Sequence, residues 1–144
     1  DMYDKLDNKA EEEIVFGYSS HEEDYFYSLT LKDREIMNKL ISDHSRVWKN
    51  LDVAVLHKAI LDKYLGIDEA ALEEKRNIDY IRYREQALKK LRKTNFQAAF
   101  ILNPTSVQEV KAVADQGERM PQKSTDFYPK LLTGLTLHKL TINK

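Results

Sequence analysis

The segment that ends at Gly66 constrains the fold most. Val53, Leu56, Ile60, Leu61, Tyr64 and Leu65 recur at helical spacing and make one apolar face, and Gly66 supplies a left-handed stop. A helix with a single apolar face needs another layer to bury it. The chain before it follows a different period. Residues 14–18 read as a strand, residues 19–24 as a polar turn, and residues 25–31 as a second strand rich in aromatic and β-branched side chains. Leu29 and Leu31 alternate with Ser28 and Thr30, so an antiparallel hairpin with a longer loop is expected.

Helical and extended patterns continue downstream. Asp33 is suited to cap a helix carrying Ile36, Met37, Leu40 and Ile41. Residues 43–50, with Trp48, read as a break, and Asp52 as a cap of the helix that follows. Asp68 caps a short charged helix over 68–76. Residues 78–82 alternate as a short strand, and residues 85–93 are helical with Ala87, Leu88 and Leu91 inward. The nearly apolar run 96–102 reads as a central strand buried on both faces. Thr105 and Gln108 form a capping box for a helix that Gly117 ends. A long loop over 118–130 leads to a last strand over 131–140. The expectation is an α+β domain over 14–144, with an antiparallel or mixed sheet of about five strands and about four to five helices. Residues 1–13 read as a linker or frayed helix. Asp1 is not a methionine, so a longer protein is expected upstream.

Charge restricts the partners. There are 23 Lys plus Arg against 24 Asp plus Glu, a formal net charge of −1, without the basic excess that phosphate backbones demand. The one basic cluster, Lys89, Lys90, Arg92 and Lys93, falls at a helix end, where cations suit the dipole. Nucleic acid is not an expected partner. No run approaches the roughly 20 apolar residues of a membrane span. The chain has no cysteine, which excludes thiolate metal sites, disulfides and cysteine nucleophiles. A cytoplasmic domain is expected.

Few residues carry candidate chemistry. From Gly117 the sequence runs Glu-Arg-Met-Pro-Gln-Lys-Ser, one glycine short of a phosphate loop, with Gln122 at the second glycine. A phosphate loop follows a strand and opens a helix. Here a helix precedes, so that reading fails. Arg119, Lys123, Ser124, Thr125 and Lys130 could still bind an anion through their side chains, or the loop is an ordinary surface connection pinned by Pro121 and Pro129. His57 could act as a base or ligand, or be a boundary residue with one satisfied nitrogen. No His/Asp/Glu spacing matches a metal-binding helix.

Three stretches carry a resemblance. They are Leu51-Asp52-Val53-Ala54-Val55-Leu56-His57, then Phe100-Ile101-Leu102-Asn103-Pro104-Thr105, then Met120-Pro121-Gln122-Lys123-Ser124-Thr125 with Phe127-Tyr128-Pro129-Lys130-Leu131. In this order they resemble the C-terminal part of the prokaryotic family known as domain of unknown function 1015, over about residues 14–140. Asp126 departs from the aromatic residue expected inside the last motif, a change that bears on how the loop packs. Family members are longer. Their upstream half carries a Gly-His-His-Arg motif resembling ParB- and sulfiredoxin-type nucleotide-binding domains, some relatives of which are small-molecule kinases. This sequence has no such motif. The resemblance implies that Lys123, Ser124, Thr125, Asp52, His57 and Asn103 face a shared site, without a role for any of them. It further implies an upstream domain as partner and a nucleotide with magnesium as ligand. A structural or homo-oligomerising module without catalytic residues is the rival expectation.

Overall fold

Strand β1 (Val15–Ser20) lies between β2 (Tyr27–Thr30) and β3 (Ala98–Ile101), and both pairings are antiparallel. The computed structural model describes Leu6 and residues 13–125. Among these, the sheet has three strands, and the chain is α+β. Strand alternation builds two cores. Ile14 and Phe16, with Leu31, Phe100 and Leu102 packed alongside, meet the helices in the main cluster. Val15 and Ile101 point the other way, against Leu6, Phe26 and Leu88.

Among the described residues the central strand is β1, and the apolar run 96–102 supplies β3 beside it. Val15 and Phe16 are both buried, because apolar side chains cover both faces there, whereas Ala98, Ala99 and Phe100 are only half-buried. The strand expected over 78–82 does not form. Lys75 and Asn77 have φ of 54° and 58°, which turns the chain. The Asp79 carboxylate then accepts the Tyr80 N–H at 2.9 Å and pairs with Lys90, so local side-chain bonds replace a ladder. The strand expected over 131–140 lies outside the described residues.

Gly17 lets the sheet approach the second core closely. A Cβ there would overlap the Phe26 ring and approach Leu6 Cδ1 at 3.0 Å. Gly17→Ala is expected to lower stability by about 1–3 kcal/mol through overpacking. Adding Phe26→Leu should return part of it, as read from urea midpoints. Equal midpoints for Gly17→Ala and the parent chain would refute this.

The helices follow the sequence with several corrections. Helix α1 is Ile36–Leu40 with Glu35 at the cap position, so Asp33 is not its cap; the Asp33 carboxylate accepts the Glu35 N–H at 2.9 Å in the turn before it. The expected break at 43–50 contains a four-residue helix, α2 (Arg46–Lys49), capped by Ser45. Helix α3 (Asp52–Val55) continues as a π-helical segment, Leu56–Asp62, and ends in α4 (Lys63–Leu65). A π turn takes one residue more than an α turn. The apolar stripe thus falls out of step: His57 and Ala59 are buried, and Tyr64 and Leu65 are 70% and 52% exposed. Gly66, at φ 66°, lets the Ile67 N–H reach back to Leu61 O at 2.9 Å.

Asp68 caps α5 (Glu69–Glu73), accepting the Ala71 N–H at 2.8 Å. Helix α6 is Arg84–Lys93. Of its basic cluster, Lys90 pairs with Asp79, and Arg92 donates to the carbonyls of Ser20, His21 and Glu23 at 3.1, 3.2 and 2.8 Å. Arg92 thereby fastens the β1–β2 loop. The capping box of α7 (Val107–Asp115) is Ser106 with Glu109, one residue later than expected. The Thr105 hydroxyl is engaged elsewhere, on Ser124 O at 3.0 Å. Among the described residues, no helix is long and apolar enough to cross a membrane.

Candidate functional site

The loop after α7 is built onto α2 by one carboxylate and one indole. Gly117, at φ 72°, reverses the chain. Glu118 then accepts the Ser45 N–H at 2.8 Å and the Ser45 hydroxyl, and lies 3.0 Å from His44 Nδ1. These bonds, Ser45's first, hold the Glu118 carboxyl below the usual carboxylate range. His44 stacks on Trp48 with ring centroids 3.9 Å apart. The buried Trp48 donates its Nε1–H to Arg119 O at 3.0 Å. His, Ser and an acid thus meet, but not as a catalytic triad. The Ser45 hydroxyl donates to the carboxylate, and its oxygen accepts the Trp48 N–H at 3.2 Å, so no base takes its proton.

Further along, the loop is held again. Pro121 O accepts the Ser124 N–H at 3.4 Å and the Ser124 hydroxyl at 2.6 Å, which closes a turn with Lys123 at φ 59°. A lysine in the left-handed region costs about 1 kcal/mol. Thr105 bonds Ser124 O, and Gln122 Nε2 donates to Glu73 at 3.0 Å. The side chains of Arg119, Lys123 and Thr125 are exposed, and Ser124 is half-buried. Lys130, Phe127 and Tyr128 lie outside the described residues. Since α7 precedes this loop, it has no phosphate-loop geometry.

On its inner side the loop closes a cleft. Pro121 and Gln122 face His57, Lys58, Asp62, Glu69 and Trp48 across about 50 Å³ of room for solvent. That accommodates a few waters or a small ion, and not a nucleotide. His57 is buried, and burial pushes its pKa down to about 4, helped by Lys58 and opposed by Glu69. Its imidazole is neutral near pH 7. Lys58 lies 3.9 Å from Asp62 and 3.6 Å from Glu69. One cation against two carboxylates leaves the cleft unattractive to anions.

Asp52 and Asn103 form a second pair. Asn103 Nδ2 donates to Val15 O at 3.2 Å and more weakly to Asp52 Oδ2 at 3.5 Å, while Arg84 reaches Asn103 Oδ1 at 3.5 Å. Burial raises the Asp52 pKa to about 6. The Asn103 bond and Arg34 lower it, and Glu109 raises it further. Leu51 occupies the cap position, so Asp52 is the first helical residue rather than the cap.

The residues predicted to converge are therefore distributed. Asp52 meets Asn103. His57 joins Pro121 and Gln122 at the cleft, whose lining includes neither Arg119 nor Lys123. The Glu118–His44–Ser45–Trp48 clamp was not anticipated. Ser45 three residues before Trp48 is the one local sign of it, as a cap. Among the described residues, no three His, Asp or Glu side chains group to hold a metal. Comparison with protein-family models, with curated proteins and with solved structures gives no match.

Proposed function

We propose that this chain is a companion domain of a nucleotide- or phosphate-handling enzyme, of small-molecule-kinase type, whose 119–130 loop contacts an anionic ligand. One observation carries the reading: the loop is fastened at Glu118, Arg119 O and Ser124 O while the side chains of Arg119 and Lys123 stay exposed. A fastened loop offers its cations without the ordering cost that a mobile one pays on binding. The small, acid-rich cleft argues that the ligand lies on the outer side of the loop. The remaining contacts, and magnesium, would come from an upstream domain, in keeping with the resemblance noted above.

The test is a thermal-shift titration with ATP, ADP and phosphate, with and without magnesium. A ligand at 100 times its Kd stabilises the folded state by about 2.7 kcal/mol. Lys123→Ala and Arg119→Ala should each reduce the shift. An undiminished shift in both variants would remove the loop from the site. A rival reading, a structural module, is favoured by a cleft whose lining includes neither Arg119 nor Lys123, and predicts no shift with any of these ligands.

A further inference from the structure

We propose that the outer edge of β2 is a self-association surface, on which β2 of a second copy of this chain pairs antiparallel about a two-fold axis at Ser28. This stands apart from the anion reading and rests on different residues.

Backbone geometry comes first. The Leu31 N–H bonds Ile14 O at 2.9 Å, and Val15 faces Thr30 in register. Residues of an antiparallel pair alternate between bonded and non-bonded positions. Leu29 and Tyr27 therefore bond β1, and the N–H and C=O groups of Ser28 and Thr30 point outward. Among the described residues no strand takes them. Nor is this edge blunted in the usual ways: residues 26–31 contain no proline, no charge and no bulge.

The side chains then select the partner and the register. Pairing through outward groups must match even-numbered residues with even-numbered ones. An axis at Ser28 places Phe26 opposite Thr30 of the second copy, Tyr27 opposite Leu29, and Tyr25 opposite Leu31. Tyr25, Tyr27 and Leu29 are 70%, 41% and 36% exposed, large apolar groups at the end of a row. The row itself crosses the sheet: Phe100 and Tyr18 have ring centroids 5.3 Å apart, and Tyr18 and Tyr27 6.1 Å. A second copy extends it. The same register sets the exposed Asp24 opposite the exposed Lys32 twice, once on each side of the axis. An axis at Leu29 would instead face Tyr25 with Asp33, and one at Tyr27 would leave Lys32 opposite Glu22 with fewer strand residues paired. The acidic start and basic end of this segment are self-complementary only when two copies run antiparallel.

Sedimentation across a concentration series up to about 1 mM tests the proposal. The parent chain should dimerise. Leu29→Lys should weaken the dimer, and so should Lys32→Glu or Asp24→Lys alone, each raising its Kd roughly tenfold through paired like charges. Mixing the Lys32→Glu chain with the Asp24→Lys chain should restore it, since each acid then faces a lysine. A monomer throughout the series would overturn the proposal. Slow amide exchange at Ser28 and Thr30 in such a monomer would mean that the edge is covered from within the chain. A dimer that tolerates Leu29→Lys, or a mixture no tighter than its separate components, would place association elsewhere and overturn it equally.

Discussion

Trp48→Ala is expected to destabilise the chain by about 3–5 kcal/mol, the range for truncating a buried aromatic side chain. The indole joins three things at once. It is 6% exposed within the main core, it stacks on His44, and it bonds the carbonyl of Arg119. The first is a packing term and the last is a tether, and Trp48→Phe separates them. Phenylalanine keeps a ring against His44 and in the core but has no N–H. Its cost should combine a small volume change with the net value of one hydrogen bond, about 0.5–1.5 kcal/mol. The tether has a local readout as well. Trypsin cleaves after Arg119 and Lys123, and cleavage reports how often the loop opens. Trp48→Phe should accelerate cutting there more than its small global destabilisation accounts for. Denaturant midpoints give the global figure, and limited proteolysis gives the local one. If Trp48→Ala cost less than about 1 kcal/mol, the clamp would be dispensable and the fastened-loop argument for ligand binding would fall with it.

Features set by short-range chemistry were legible in the sequence. Gly66 stops its helix through its own φ, Asp68 caps through a bond three residues away, and the hairpin alternation places Leu31 inward. What escaped depends on partners far along the chain. Glu118 and Ser45 are 73 residues apart, and neither carries a mark of the other. The π-helical segment leaves no compositional trace, yet it moves Tyr64 and Leu65 from an apolar stripe to the surface. The capping box slid by one residue because the loop claims Thr105, again a tertiary choice. The candidate site shows the same division. The donor-rich character of 119–125 was readable, but the directions of Arg119 and Lys123, set by the clamp and the turn, were not.

Asp52 and His57 should oppose each other's effect on stability between about pH 4 and 6, and removing either should expose the slope of the other relative to the parent chain. His57 titrates near 4 in the folded chain and near 6.5 when free. Between those values the unfolded chain binds a proton that the native chain refuses. Stability due to His57 is complete above 6.5 and is lost as pH falls to 4, by about 3 kcal/mol at 1.36 kcal/mol per pH unit. Asp52 runs in the other direction. It titrates near 6 when folded against 3.8 when free, so the native chain holds the extra proton. Its favourable contribution is complete below 3.8 and is lost as pH rises through 6, again by about 3 kcal/mol before the remaining solvent contact reduces it. Asp52→Asn should therefore be more stable than the parent near pH 7, by about 1–3 kcal/mol, and lose stability steeply on acidification. Relative to the parent, His57→Gln should instead lose stability as pH rises from 4 to 6, and the double variant should run parallel to the parent. Carboxylates elsewhere titrate alike in all four proteins and cancel in the comparison. Urea midpoints at pH 4, 5, 6 and 7 give the four slopes. Stability differences from the parent that slope the same way in the two single variants would mean that burial does not govern these groups. Opposite slopes would mean that burial keeps the His57 imidazole neutral and the Asp52 carboxyl partly protonated near pH 6.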